Sequence, residues 1–243
     1  MNESADEPVQ ATKGNEFEIV VAHFNEDLSW LQPFTQNASI YSKGHSPTPS
    51  DAYRQNTKLP NIGRESHTYL YHIVSRYDTL ADITLFVQGS PSSVSSPRCH
   101  TNLTITQLRD KTMGMSAGEM MTFGPEGNFK RFDSWNGIDW KDDVSHAHWL
   151  SHQNGNHLWA DYTPAQFYLE AFGHDHPASV GYVEGAFFAV RASTICSRPR
   201  ALYEHLLDKF VQLDHVNPEI GHYMERFWGE IFTEGRDPVW CPE

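Results

Sequence analysis

The feature that most constrains the fold is an apolar strand, a long amphipathic helix and a second apolar strand in succession along the chain. The first strand is predicted at 17–24, where β-branched residues dominate. The helix opens at Gly63, and its apolar residues recur at helical spacing: Tyr69, Leu70, Ile73, Val74 and Tyr77. The next strand is predicted at 83–87. Because such a unit joins parallel strands by a right-handed crossover, we predict an α/β fold with a mostly parallel central sheet flanked by helices.

The rest of the chain adds elements to one domain. Residues 1–15 are polar and acidic, which predicts a disordered leader. Residues 16–243 are predicted to form a single α/β catalytic domain, with insertions around 90–178. The shorter predicted elements are a strand at 38–41, loops at 45–60 and 90–98, a strand at 181–190 with a glycine bend, and helices after Pro199 and over 222–232.

Charge and cysteine content exclude several classes of protein. The 31 Asp and Glu residues against 18 Lys and Arg give a formal charge of −13, which argues against a coat of non-specific nucleic-acid binding. Cys99, Cys196 and Cys241 are odd in number and far apart, which excludes a disulfide scaffold. The first residues match no signal or transit peptide, and no apolar run approaches the roughly 20 residues of a membrane span. We therefore expect a cytoplasmic protein.

Polar side chains follow three of the predicted strands. Asn25, Glu26 and Asp27 follow the first, Lys43 follows the second, and Gln88 follows the strand at 83–87. Ligands of open α/β sheets bind beyond the carboxyl ends of the strands, so these residues predict a common pocket. Ordinary turn residues and a helix N-cap are the alternative for each group taken singly.

Two further sets of charged residues are candidates for the same pocket. Arg64, Glu65 and His67 open the amphipathic helix, where backbone N–H groups favour anions. A capped helix with solvated charges and a packed histidine is the alternative. Glu184 interrupts an otherwise apolar strand, and a buried carboxylate is costly unless it is paired or faces a site. An edge-strand carboxylate is the alternative there.

The last predicted helix and the histidine-rich stretches give weaker signals. Glu219 and His222 lie one turn apart on a helix face, which fits either a binding face or a solvated one. Histidines cluster without a zinc-binding spacing or a third ligand at a fixed offset, so we expect no metal and no cofactor. These histidines are His146, His148, His152, His157, His174 and His176.

Several blocks of the sequence resemble one large, mainly fungal family of domains of unknown function. The blocks span nearly the whole chain, at 20–31, 40–44, 59–70, 83–89, 184–190 and 217–228. That family is similar in architecture to GT-A glycosyltransferases. Some of its soluble members are arginine-containing cyclodipeptide synthases, which condense the arginyl group of Arg-tRNA with a second aminoacyl-tRNA.

The residues bear on the choice between these two activities. A metal-dependent GT-A enzyme needs a D-x-D after a central strand, whereas the strand at 83–87 ends in Gln88, Gly89 and Ser90. An aminoacyl-tRNA, by contrast, brings its own activated ester and needs no metal. We therefore expect a cyclodipeptide synthase. A metal-independent glycosyltransferase and a non-catalytic binding domain with a Trp-rich region at 135–162 are the alternatives.

The resemblance also implies roles for the candidate residues. Carboxylates among Glu26, Asp27, Glu65 and Glu184 are expected to hold the arginyl guanidinium, because a carboxylate is its bidentate partner. Glu184 or His67 is expected to deprotonate the attacking amine. Lys43 and Arg64 are expected to meet the ester oxygen or the terminal phosphates. The remaining predicted substrate-binding residues are Asn25, Gln88, Glu219 and His222, and Ser42 and Ser66 are candidate nucleophiles by position alone.

The negative charge is unevenly distributed, and this predicts where tRNA binds. Residues 41–64 hold Lys43, Arg54, Lys58 and Arg64 against Asp51 alone. A second basic stretch contains Arg191, Arg198 and Arg200 with no acid between them. We expect the two stretches to guide the acceptor end of tRNA together, with Lys58, Arg191, Arg198 and Arg200 as phosphate contacts.

Overall fold

A computed structural model describes most of the chain. The described residues are 16–45, 52–90, 101–124, 129–141, 147, 150–151, 153, 155–233 and 239–242. The predicted disordered leader at 1–15 lies outside them, as does the predicted flexible loop from residue 91 onward.

Nine strands and six α-helices are placed in the part of the chain that the structure describes. The strands are β1 Phe17–His23, β2 Ala38–Ser42, β3 Gln55–Lys58, β4 Ile83–Gln88, β5 Met120–Gly124, β6 Phe129–Phe132, β7 Val180–Val183, β8 Phe188–Arg191 and β9 Val239–Pro242. The helices are α1 Arg64–Arg76, α2 Ile105–Thr112, α3 Pro164–Phe172, α4 Ala192–Ile195, α5 Arg200–Leu213 and α6 Ile220–Thr233.

Seven strands form one sheet in the order β3-β2-β1-β4-β8-β5-β9. β8 runs antiparallel to both of its neighbours, and the other six strands run in the same direction. A two-stranded antiparallel sheet of β6 and β7 lies apart from it. The predicted α/β class, with one mostly parallel sheet, is confirmed.

The pairing register defines two edges of this sheet. His23 pairs with Ser42, and Ser42 pairs with Lys58, so β1, β2 and β3 end together. Ala22 pairs with Gln88, which brings the end of β4 to the same level. We call this end the carboxyl edge. The opposite, amino edge holds Phe17, Ile83 and the strands' first residues.

The alternating side chains of the strands pack into two layers. Val20, Tyr41 and Phe86 face α1 and α6, where Tyr69 lies 5.0 Å from Phe86 and 6.1 Å from Trp228 between ring centroids. Residues on the opposite face pack with α2 and the first 3₁₀ turn; they include Ile19, Val21, Ile40, Leu85, Leu31, Ile105 and Leu108. This period-2 burial is what holds the parallel strands in register.

Three predictions about element boundaries are wrong. The predicted loop at 45–60 contains the edge strand β3, whose residues are polar and half-buried. The predicted strand at 181–190 is two strands, β7 and β8, which belong to different sheets. The insertion predicted over 90–178 supplies β5 to the main sheet. The predicted helices at α1, after Pro199 and at α6 are confirmed.

Candidate active site

The loop after β1 is held by its own polar side chains. Glu26 Oε2 accepts hydrogen bonds from the backbone N–H groups of Phe24 at 2.7 Å and Asn25 at 3.1 Å. Asn25 Oδ1 accepts from the backbone of His45 at 2.9 Å. Asp27 is exposed, and its hydrogen bonds from Ser29 lower the pKa of the Asp27 carboxyl. These contacts match the turn-residue alternative for all three predicted substrate-binding side chains.

Two glycines let this loop lie against the neighbouring strand ends. A Cβ at Gly44 would sit 1.4 Å from the carbonyl oxygen of Phe24, and one at Gly89 would sit 2.4 Å from Glu26 Oε2. Gly44 follows β2 and Gly89 follows β4, so the β1 loop is wedged between the ends of both adjacent strands. Any side chain at Gly44 would have to move backbone atoms.

Gly44→Ala is expected to lower the free energy of unfolding by about 1–3 kcal/mol, because the new methyl group overpacks against backbone. Urea denaturation measures this change. Gly114→Ala is the matched control, since the nearest atom to its added Cβ is the Lys111 carbonyl oxygen at 3.8 Å. Equal stability for the two variants would contradict the close approach at Gly44.

A buried Ser–His pair lies beneath the loop. His23 Nε2 lies 3.2 Å from the carbonyl oxygen of Glu26, and His23 Nδ1 lies 3.1 Å from Ser42 Oγ. Because a carbonyl only accepts, Nε2 carries a proton, and in the neutral ring Nδ1 accepts from the Ser42 hydroxyl. Both residues are almost fully buried, so the pair ties the ends of β1 and β2 together.

Lys43 is buried at the carboxyl edge and reaches the start of α1. Its Nζ donates to the carbonyl oxygen of Ile62 at 2.5 Å and to that of Arg64. Burial is the main reason that the pKa of Lys43 falls to about 7, with the Arg64 charge lowering it further and the Glu65 carboxylate opposing both. The amine therefore changes protonation state near neutral pH, which suits proton transfer better than a fixed phosphate contact.

The backbone at the start of α1 is held in unusual conformations. Gly63 has φ +59° and Arg64 has φ +45°, and Gly63 donates its N–H to the carbonyl of His215 at 2.9 Å. Only glycine fits at position 63, because a Cβ there would lie 2.4 Å from Phe210 Cδ1. Arg64 is half-exposed and its Nε lies 3.7 Å from Glu65 Oε2. These contacts set the direction in which Arg64 and Glu65 leave the helix.

His67 is placed in the same first turn but is poorly suited to act as a base. It is buried and stacks on Tyr71 at 6.4 Å between ring centroids. Burial, and then the charge of Lys43, lower the pKa of His67 to about 3. The imidazole is thus neutral at physiological pH and binds a proton weakly, which is the packed-histidine alternative.

Glu184 does not lie within a buried strand, contrary to the sequence prediction. It follows β7 directly, at the turn into β8, and its side chain is 38% exposed. Lys130 Nζ donates to Glu184 Oε1 at 2.7 Å. The carboxylate is paired and also accessible, so it can contact a molecule bound at this end of the sheet.

Glu225 of α6 is a site residue that sequence reasoning did not select. Its Oε1 accepts a hydrogen bond from the Gly185 backbone N–H at 2.6 Å. Burial is the main cause of its raised pKa, and the charges of Glu65 and Glu184 raise that pKa further. Glu65, Glu184 and Glu225 therefore share one electrostatic environment. The helix carries other charged side chains as well, so no local pattern singled out Glu225.

Gln88 connects this group of carboxylates to the carboxyl edge of the sheet. Its Nε2 donates to the carbonyl oxygen of Gly185 at 2.9 Å. The next residue, Gly89, packs against Glu26. The side chains that follow β1, β2 and β4 thus lie at one edge of the sheet together with Glu184, and the pocket that the sequence predicts there stays a prediction.

The chain matches a known protein family. A family model described as "Protein of unknown function (DUF3431)" matches residues 19–243. The chain belongs to the DUF3431 family. No curated protein matches the chain. The matched range holds every site residue described above, so the whole carboxyl edge is part of the DUF3431 domain.

Glu219 does not face the candidate site of this DUF3431 domain. It is buried, and its two oxygens accept from Trp140 Nε1 at 2.7 Å and from the Ala160 backbone at 2.9 Å. The His222 ring packs against Trp140 at 4.8 Å between centroids. Both residues fasten the Trp-rich segment to the start of α6, so their predicted substrate-binding role is replaced by a structural one.

Glu219→Gln is expected to lower the free energy of unfolding by about 1–3 kcal/mol, because the amide then presents an N–H to one of two buried donors. Glu204→Gln is the control, since its exposed ion pair with Arg200 contributes little. Chemical denaturation of both variants compares them. A Glu219→Gln protein as stable as Glu204→Gln would return Glu219 to the list of candidate binding residues.

The second basic stretch lies at the wrong edge of the sheet for the predicted role. Arg191 pairs with Ile83 at the amino edge, and its Nε donates to Met115 O at 2.7 Å. Arg198 donates to carbonyls at the end of α6, and Arg200 pairs with Glu204 at 2.9 Å. The expectation that these arginines and Lys58 line one tRNA path is therefore wrong. Lys58 and Arg64 remain at the carboxyl edge.

Other features of the DUF3431 domain add little to the site. In the described ranges, no three His, Cys, Asp or Glu residues are grouped as metal ligands would be. His146, His148 and His152 lie outside those ranges, and His157 packs on Trp159 at 4.3 Å between ring centroids. None of the helices in the described part of the chain is both long and apolar enough to cross a bilayer.

Proposed function

We propose that this DUF3431 protein is a tRNA-dependent cyclodipeptide synthase that condenses the arginyl group of Arg-tRNA with a second aminoacyl-tRNA. The observation that carries the proposal is the grouping of charges at the carboxyl edge. Glu184 is accessible there and shares an environment with Glu65 and Glu225, while Glu65 also interacts with Lys43 and Arg64. Such an edge offers carboxylates to a cationic substrate and cationic groups to an ester.

Glu65 is the proposed partner of the arginyl guanidinium. Carboxylates bind guanidinium through two parallel hydrogen bonds, and nearby negative charge strengthens that interaction. Glu65 is in the first turn of α1, and its charge reaches both Lys43 and Glu225. A guanidinium bound there would lie within the field of all three carboxylates.

Glu184 is the proposed general base, because His67 binds protons too weakly for that role. The α-amine of one aminoacyl group, once deprotonated, attacks the ester carbonyl carbon of the other. A C–N bond forms, the C–O bond to the ribose breaks, and the ribose oxygen takes a proton. A second attack of the same kind, by the remaining amine on the remaining ester, closes the ring. Lys43 is the proposed group that returns protons in these steps, which its pKa of about 7 supports.

We propose that the acceptor end of tRNA contacts the carboxyl edge and not the amino edge. Lys58 and the half-exposed Arg64 are the proposed phosphate contacts there; the buried Lys43 and Lys130, which pairs with Glu184, lie at the same edge. Few phosphate contacts predict a modest salt dependence, with log K falling by about 0.7 per contact for each tenfold rise in salt.

The deciding experiment incubates the protein with Arg-tRNA and a pool of aminoacyl-tRNAs and searches for cyclo-Arg-Xaa products by mass spectrometry. A cyclic product that requires both substrates supports the proposal. Hydrolysis of a sugar nucleotide without any cyclic product favours a GT-A-like glycosyltransferase instead. Sugar or peptide binding without either reaction favours a non-catalytic binding domain.

A further inference from the structure

The turn that carries Glu184 has a strained backbone. Gly185 has φ +100° and Ala186 has φ +48°, in the left-handed region that residues with a Cβ seldom adopt. Ala186 is therefore held in a conformation that its own preferences oppose. Such outliers persist only where the surroundings impose them, and they concentrate at functional sites.

Two side chains from different elements impose this conformation. Glu225 Oε1 of α6 accepts from the Gly185 N–H at 2.6 Å, and Gln88 Nε2 of β4 donates to the Gly185 carbonyl at 2.9 Å. Both backbone polar groups of one glycine are thus held by side chains far away in sequence. Arg226 Nη1, at 3.3 Å from Glu225 Oε2, orients the first of these side chains.

Packing beneath the turn is incomplete. A cavity of about 10 Å³, roughly the space of one water molecule, lies against Ala186, Phe187, Glu225 and Trp228. The two hydrogen bonds to Gly185 fix the turn together with the packing of Ala186 and Phe187, which are both buried. Lys130 contacts Glu184 from the β6 side.

We propose that Glu225 and Gln88 are positioning residues that clamp Gly185 and thereby hold the Glu184 carboxylate toward substrate at the carboxyl edge. The inference rests on the proposed function, since it supposes that Glu184 acts on substrate. In this role each of the two residues acts through the backbone of the turn, which both contact at Gly185.

Substitution of Glu225 gives the first test. Glu225→Leu removes the acceptor for the Gly185 N–H and is expected to lower kcat for cyclodipeptide formation about 10- to 100-fold. Any rise in KM for Arg-tRNA that comes from the lost negative charge is expected equally in Glu225→Gln. Glu225→Gln keeps an oxygen acceptor and is expected to recover most of kcat. Glu230→Leu is the matched control, because Glu230 is a buried carboxylate on the same helix whose Oε2 accepts from Tyr168 instead.

Ala186→Gly separates positioning from stability. Glycine accepts the left-handed conformation without strain, so this variant is expected to unfold at the same urea concentration as the wild type or a higher one. Its turn is freer, so kcat is expected to fall severalfold. Gln88→Met removes the hydrogen bond to the Gly185 carbonyl at similar side-chain volume and is expected to lower kcat as Glu225→Leu does. It replaces Glu225→Leu as the test if Glu225→Leu does not fold.

An NMR measurement of the Gly185 amide proton tests the clamp independently of the proposed function. The Gly185 amide proton, bonded to a carboxylate at 2.6 Å, is expected far downfield in the wild type and in Glu225→Gln, and shifted back in Glu225→Leu. A shift in Glu225→Leu with an unchanged kcat would overturn the positioning role. If the wild type makes no cyclic product, the proposed function fails, and an unshifted amide in Glu225→Leu would overturn the clamp as well.

Discussion

Glu184→Gln is expected to reduce cyclodipeptide formation by about 10²–10⁴-fold, because an amide cannot accept the proton of the attacking amine. The same change is expected to affect stability little. The Glu184 side chain is 38% exposed and its ion pair with Lys130 is equally exposed, and such pairs contribute about 0–1 kcal/mol. In a protein of this size that corresponds to a fall in Tm of at most about 2–4 °C. Initial rates and thermal unfolding of one preparation measure both effects.

Lys130→Gln is the matched control for this substitution. It removes the same ion pair but leaves the carboxylate in place, so it is expected to reproduce the small change in Tm while retaining most of the rate. A Glu184→Gln protein that unfolds at a far lower temperature would assign Glu184 a structural role. A Glu184→Gln protein with the wild-type rate would show that another group takes the proton.

The main elements of the fold could be predicted because local sequence patterns indicate which of their residues are buried. β1 and β4 are short runs rich in apolar and β-branched residues, and α1 repeats apolar residues at helical spacing. β3 escaped prediction because an edge strand of Gln, Asn, Thr and Lys shows no apolar alternation. The split of 181–190 into β7 and β8 was missed because a sharp turn through Gly185 and Ala186 looks, in sequence, like a bend in one strand.

The carboxyl edge was predictable, whereas the contacts across it were not. Lys43 and Gln88 follow strands, and parallel strands bring such residues together. Glu225 reaches Gly185 across 40 positions of sequence, and no local pattern encodes that hydrogen bond. The sequence prediction put Arg191 at the wrong end of the sheet because it did not foresee that β8 runs antiparallel to β4. Arg191, the last residue of β8, therefore lies at the amino edge and not at the site.

Lys43→Met is expected to change how the stability of the protein depends on pH. Burial lowers the pKa of the Lys43 amine from about 10.5 to about 7 in the folded protein, whereas the unfolded chain keeps the higher value. Between these two pKa values the unfolded chain carries a proton that the folded protein has released. Unfolding therefore takes up a proton, and the free energy of unfolding rises with pH by up to about 1.4 kcal/mol per pH unit.

The Met variant lacks this contribution, so the stability difference between wild type and Lys43→Met is expected to shift in favour of the wild type by roughly 2–3 kcal/mol from about pH 7.5 to about pH 9.5. Urea denaturation of both proteins at each pH measures it, and all other titrating groups cancel in the comparison. A difference that stays constant over this range would mean that Lys43 stays protonated throughout it and does not exchange its proton near neutral pH. A rising difference means that the Lys43 amine takes up and releases a proton near neutral pH, which the proposed return of protons at the carboxyl edge requires.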